Sequence, residues 1–167
     1  RKEDLLTLRF RRDDAVATEE MGSKYWGMTG RNEPFLYNEK ALELAGDWDF
    51  VVVCEGELDA LRLYQEGLPA VSCTNGVEAF NEHFVKVVRQ CDTKRVIIAY
   101  DQDMPGKIHG MRVARLFGLR GRVVSWPLAW GKDVSEVLSK LPLDRLMKRF
   151  DMAETPMAVE RYWQAFR

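Results

Sequence analysis

Asp101 and Asp103 stand two residues apart in the run Tyr100-Asp101-Gln102-Asp103-Met104-Pro105-Gly106-Lys107. Two carboxylates at that spacing, at the end of a strand, can face one point, and hard oxygen ligands suit Mg²⁺ or Mn²⁺. Turn chemistry is the competing reading, because Asp also starts turns through its own side chain. A third acid, Glu55, leaves the apolar run Phe50-Val51-Val52-Val53-Cys54, and Gly56 then lets the chain turn at once into a helix. A carboxylate at the end of a buried strand is costly unless a cation or a donor meets it. Glu57 and Asp59 follow in the first helical turn, where acids complement the macrodipole. Asp133, in Trp130-Gly131-Lys132-Asp133, suits either a helix N-cap or a further metal ligand. The loop Ser72-Cys73-Thr74-Asn75-Gly76 reads as a plain turn or as small residues whose amides approach a phosphate.

These residues need strands and helices to bring them together. From residue 50 the pattern alternates strand and helix. Phe50–Cys54, Ala70–Ser72, Arg95–Tyr100 and Arg122–Ser125 predict four strands, the first and third of them continuous β-branched runs of the doubly buried kind. Helices are predicted over Glu57–Glu66, Val77–Cys91, Lys107–Phe117, Asp133–Ser139, Leu143–Phe150 and Thr155–Phe166, the last with Thr155 as N-cap and Pro156 at its first position. The expected class is α/β, a parallel four-stranded sheet with helices on both faces, where chemistry sits beyond the C-terminal strand ends. Before it, residues 1–47 predict a small α+β part. Leu6, Leu8 and Phe10 alternate as in a strand, and Asn38 caps a helix over about 39–46. Residues 48–140 form the sheet domain and 141–167 add C-terminal helices.

Taken together the motifs resemble the Toprim domain of topoisomerases and primases, with Glu55-Gly56 after one strand and Asp101-Gln102-Asp103 after a later one. Within that family the likeness is to bacterial and phage primases and primase-helicases. It rests on Glu55-Gly56-Glu57-Leu58-Asp59-Ala60-Leu61, Ser72 through Asn75-Gly76, Asp101-x-Asp103-x-x-Gly106-Lys107 and Gly131-Lys132-Asp133, led in by Leu36-Tyr37-Asn38-Glu39. The resemblance implies that Asp101 and Asp103 bind Mg²⁺ or Mn²⁺, with Asp133 as a further ligand and Glu55 as the metal-linked acid or general base. It implies RNA primer synthesis on single-stranded DNA from ribonucleoside triphosphates, with a replicative helicase as partner or attached domain. Pro105 and Ile108-His109 depart from the family's usual helix opening.

Charge is nearly balanced, 25 Lys and Arg against 26 Asp and Glu, which excludes a bulk polycation. The balance is local cancellation. Met104–Lys132 holds six basic side chains and no acidic one: Lys107, Arg112, Arg115, Arg120, Arg122 and Lys132. With Arg9 and Arg11, which share one face of an alternating strand, these form either a nucleic-acid track or a solvated face. Trp126 and Trp130 suit base stacking or core packing, as do Tyr25 and Trp26. No apolar run reaches the ~18 residues of a membrane span, and three cysteines without a CxxC pair suit a reducing cytoplasm. Arg1 in place of Met predicts a piece of a longer chain. Three alternatives stay open: a Toprim nuclease or topoisomerase fragment, a phosphatase using its Asp-x-Asp as nucleophile, and a non-catalytic nucleic-acid or helicase-binding module.

Overall fold

The computed structural model describes residues 9–11, 25–27, 33–75 and 79–165. The chain divides into two compact units, Arg1–Pro34 and Phe35–Arg167. In the first unit, β1 (Arg9–Arg11) pairs antiparallel with β2 (Tyr25–Gly27). Leu6 and Leu8 lie outside the described residues.

The second unit is built on a five-stranded sheet. Its strands are β3 (Leu36–Tyr37), β4 (Phe50–Cys54), β5 (Ala70–Cys73), β6 (Arg95–Ala99) and β7 (Gly121–Val123). Their order is β3-β5-β4-β6-β7. The last four pair parallel, and β3 joins β5 antiparallel, an edge strand that the four-strand expectation lacked.

The pattern of β4 shows why the sheet is doubly covered. All five of its residues are buried. Val51 and Val53 enter one core with Val71, Ile98, Phe80, Phe84 and Val113. Phe50, Val52 and Cys54 enter the other with Ile97, Leu63, Val137 and Phe150. Alternate side chains of one strand thus fill two cores. Each buried Val is worth roughly 1.5–3 kcal/mol relative to exposure. Helices α2 (Glu82–Arg89) and α3 (Met104–Leu116) cover the first face. Helices α1 (Glu57–Gln65), α4 (Val134–Lys140) and α5 (Leu143–Asp151) cover the second. Helix α6 (Pro156–Ala165) follows, with the Thr155 hydroxyl accepting from Ala158 N–H at 3.3 Å as the N-cap.

Several element boundaries differ from expectation for local reasons. Residues 39–47 form a 3₁₀ helix, and Asn38 does not cap it. Asn38 instead adopts a left-handed backbone, φ 60°, and its side-chain NH₂ donates to Ala70 O at 2.9 Å. Helix α2 starts at Glu82, where the Asn81 side-chain Oδ1 accepts from His83 N–H at 2.9 Å, five residues later than Val77, itself outside the described residues. Helix α3 starts three residues earlier than Lys107, because Asp103 caps it and Pro105 fits the first turn, which needs no amide hydrogen. That placement accounts for the unusual Pro105.

Chain order produces the crevice. From β4 the chain moves to β5 on one side, then crosses to β6 on the other. The reversal lies between β4 and β6, and the groove beyond their carboxyl ends is the position where open α/β sheets bind ligands. Glu55 leaves β4 and Asp101 follows β6, so the fold brings these acids to opposite lips of one groove.

Candidate active site

Each lip is built by a turn with tight backbone packing. At Gly106 an added Cβ would meet Asp101 O at 2.3 Å, so only glycine lets α3 begin this close to the end of β6. Asp103 directs one oxygen inward: Oδ1 accepts from Gly106 N–H at 2.8 Å. Its Oδ2 remains for a cation. On the other lip, Glu55 Oε2 accepts the Asp101 N–H at 3.2 Å, a bond that joins the two lips directly.

A third segment closes the groove. Gln102 lies between the two aspartates and is buried. Its N–H donates to Lys132 O at 2.8 Å, its side-chain NH₂ to Tyr100 O at 3.0 Å, and its side-chain oxygen accepts from Trp126 N–H at 3.3 Å. Gly131, φ 151°, turns the chain so that Lys132 faces the aspartates; a Cβ there would meet Glu136 Cβ at 2.7 Å. Lys132 N–H donates to Glu136 Oε2 at 3.0 Å. The Lys132 ammonium then lies 2.9 Å from Asp101 Oδ2 and 3.1 Å from Asp103 Oδ2. Two carboxylate oxygens from two positions of one turn converge on one positive charge.

Electrostatics separates the acids. Burial, then the charge of Asp101, pushes Glu55 up to about 7. Burial raises Asp101 as well, against the opposing pull of Lys132. Asp103 is held low, first by the hydrogen bond from Gly106 N–H. Lys132 is raised by its contacts with Asp101 and Asp103.

Asp133 behaves as an N-cap: its Oδ1 accepts from Glu136 N–H at 2.8 Å at the start of α4. Asp59 carries more weight than its position in a first helical turn suggests. It is buried, and its Oδ1 accepts from Ser135 N–H at 2.9 Å and from the Ser135 hydroxyl at 2.7 Å. It thereby fastens α1 to the start of α4, two residues beyond Asp133. Burial pushes it up to about 6. Nothing in the spacing separates Asp59 from an ordinary helix-opening acid; Gln102 had a faint signal, an amide held between two acids.

The remaining residues scatter. Lys107 opens onto a cleft of about 600 Å³ with Met104, Met111, Arg149 and Tyr162. Arg112 is exposed on α3. Arg115, twelve residues beyond Asp103, lies roughly 18 Å along the helix and is ion-paired with Glu160 of α6. Arg120 donates to Cys91 O and to the Thr93 hydroxyl, and Arg122 donates to the Leu119 and Gly121 carbonyls. With Lys132 on the two aspartates, at least four of the six basic side chains are therefore committed to intramolecular contacts. Asn75, φ 70°, stands exposed after β5. Gly76 and the side chains of Arg9, Arg11, Tyr25 and Trp26 lie outside the described residues. Trp126 is core: it is 5% exposed and its indole N–H donates to Gly131 O at 2.9 Å. Trp130 is half-buried, with the Arg149 guanidinium 4.9 Å from the ring centre.

For a divalent cation, the chemistry of the donors fits. Asp101 Oδ2 and Asp103 Oδ2 are hard oxygens already directed at one cation, with Glu55 a hydrogen bond away. Among the described residues no three His, Cys, Asp or Glu side chains close on one point, so the convergent donors are this pair.

The fold and site define a class: an open, mostly parallel α/β sheet with an acidic centre at its switch point. Residues 52–138 match the Toprim-like family, more than half of the chain, and the chain belongs to that family. A DNA primase of Campylobacter jejuni subsp. jejuni serotype O:2 is 32% identical over 93 residues, which cover 54% of this chain and 15% of that protein. The chain thus spans about 15% of the length of that relative. A DNA primase domain from Pseudomonas aeruginosa has the same fold, with TM-score 0.72 at 20% identity over 96% of this chain and 50% of that one. The RNA polymerase domain of the Mycobacterium tuberculosis primase matches with TM-score 0.71 at 17% identity over 93% of this chain and 53% of that one. The likeness is to primase Toprim domains.

Proposed function

We propose that the chain is part of the catalytic core of a DNA primase, joining ribonucleotides into short primers on a single-stranded DNA template. The observation that carries this reading is the convergence of Asp101 Oδ2 and Asp103 Oδ2 on one cation, with Glu55 across the groove. In nucleotidyl transfer a 3′-hydroxyl attacks the α-phosphate of a nucleoside triphosphate and pyrophosphate leaves; positioning and charge neutralisation supply most of the catalysis. Asp101 and Asp103 would hold Mg²⁺ or Mn²⁺, with Asp133 nearby as a further ligand. A metal bound there would neutralise phosphate charge. Glu55, at about 7, is in the range for a base that takes the hydroxyl proton near neutral pH. Lys107 and Lys132 would meet nucleotide phosphates, and Arg112, Arg115, Arg9 and Arg11 the template or primer. Asn75 and Gly76 would also contact nucleotide or nucleic acid.

In this reading residues 1–47 are the N-terminal part of the primase core, 48–140 the Toprim domain and 141–167 C-terminal helices. Among the described residues no helix is long and apolar enough to cross a membrane. The reading places the protein in the cytoplasm beside a replicative helicase. The test is incubation of the full-length protein with single-stranded DNA, labelled ribonucleotides and Mg²⁺. Primers lost on Asp101→Ala support the reading. Nicked DNA without primers would make the protein a nuclease, and binding without turnover would make it an adaptor.

A further inference from the structure

Lys132 is tethered where its ammonium lies. Its backbone oxygen is fixed by the Gln102 N–H and its own N–H by Glu136, while Gly131 permits the turn that delivers it. The side chain is nevertheless 47% exposed, so the ammonium is open to solvent and to ligands entering the groove while its backbone is held. Asp103 gives Oδ1 to the helix and Oδ2 to Lys132. The oxygens that Lys132 occupies are therefore those a hard cation would need. Ammonium contacts lie near 3 Å and metal–oxygen contacts near about 2 Å, so the two cations compete for one position.

We propose that Lys132 is the resident cation of the Asp101–Asp103 pair, displaced when a divalent metal binds and handed to the phosphate of the incoming nucleotide. The inference rests on the nucleotidyl-transfer reading. Without metal, Lys132 offsets one of the two carboxylate charges; a divalent metal offsets both. With metal, the released ammonium gains an anionic partner only when nucleotide arrives, so nucleotide binding favours metal binding. Lys132 is in this sense a positioning residue with opposite effects on the two ligands. A purely structural ion pair would alter stability without separating metal from nucleotide affinity.

The experiment measures Mn²⁺ binding by electron paramagnetic resonance, and ATP binding at saturating Mg²⁺, in the full chain and in Lys132→Met, Lys132→Gln, Lys132→Arg and Asp101→Asn. Lys132→Met and Lys132→Gln are expected to bind Mn²⁺ at least tenfold tighter and ATP at least tenfold weaker. Lys132→Arg is expected to stay within threefold of the parent in both. The two charge-free variants duplicate each other should one fail to fold. Equal Mn²⁺ affinity with and without the ammonium overturns the resident-cation role, and tighter Mn²⁺ with unchanged ATP binding overturns the transfer to phosphate. Mn²⁺ binding that survives Asp101→Asn, or is missing from every variant and the parent, removes the metal centre itself, and so the reading on which this inference rests.

Discussion

The two strand ends that flank the groove treat the same kind of side chain in different ways. Beyond β6, Asp101 and Asp103 share an ammonium, which opposes the upward pull of burial on Asp101, and Asp103 is held below the ordinary carboxylate range. Beyond β4, Glu55 and Asp59 have neutral donors as their hydrogen-bond partners, the Asp101 amide for one and Ser135 for the other. Both stand well above that range, at about 7 and about 6. Environment, not residue type, separates carboxylates that hold cations from carboxylates that hold protons. One groove thus has a lip whose acids share an ammonium and a lip whose acids are raised by burial.

The comparison breaks most visibly on the β6 side. Asp101→Ala or Asp103→Ala is expected to lower primer synthesis by roughly 10³-fold, on the scale of lost transition-state charge stabilisation, with the far-ultraviolet circular dichroism spectrum unchanged. Retained synthesis in either variant would sink the metal assignment. Glu55→Gln on the β4 side keeps the shape and removes the base, with an expected loss of roughly 10²-fold, the low end for general-base catalysis. If the variant keeps the parent rate in a single-turnover assay, the two lips do not divide the labour.

A smaller effect belongs to Gly106, which holds the β6 turn together. Gly106→Ala forces a Cβ against Asp101 O and is expected to cost about 1–3 kcal/mol in urea denaturation, as overpacking does. Asp59→Asn sharpens the contrast through pH. The folded protein binds the Asp59 proton more tightly than the unfolded chain does, at about 6 against an ordinary 3.8. Its contribution to stability is therefore full below about pH 4 and is lost as pH rises through about 6. Near 1.4 kcal/mol per unit, the parent loses about 2–3 kcal/mol from this group between pH 4 and 7. Asparagine keeps an oxygen for Ser135 and does not titrate, so the difference between variant and parent should appear only above pH 4. A constant offset across that range would disprove the shift. Arg115→Ala, far along α3 and paired to Glu160, is expected to cost less than about 1 kcal/mol and to leave ATP binding unchanged.

Much of the sheet was legible because its strands are buried on both faces. Val51 to Val53 and Val96 to Ile98 are continuous β-branched runs, and no other placement hides them. The site was legible in outline for the same reason, since Glu55 and Asp101 follow those runs immediately. Polar contacts over long separations were not legible. Asn38 reads as a helix cap until Ala70 O is beside it, and Asp59 as a helix-opening acid until Ser135, 76 residues later, reaches it. Asp103 and Asp133 expose a deeper ambiguity. An acid placed before a helix is a cap and a ligand candidate at once, and each here spends Oδ1 on the cap. Only geometry separates them: Asp103 also contacts Lys132 through Oδ2.

The edges of the sheet carry a consequence of another kind. Strand β3 is two residues long, and β7 is covered by a bridge in which Val123 and Glu154 exchange hydrogen bonds of 2.8 and 3.0 Å. Arg122 places its own guanidinium on the Gly121 carbonyl. Among the described residues neither edge presents a long unsatisfied ladder, and such ladders are the templates on which sheets polymerise. A sheet whose strands are this rich in valine and isoleucine thus has margins that are short or covered, the arrangement that limits edge-to-edge pairing.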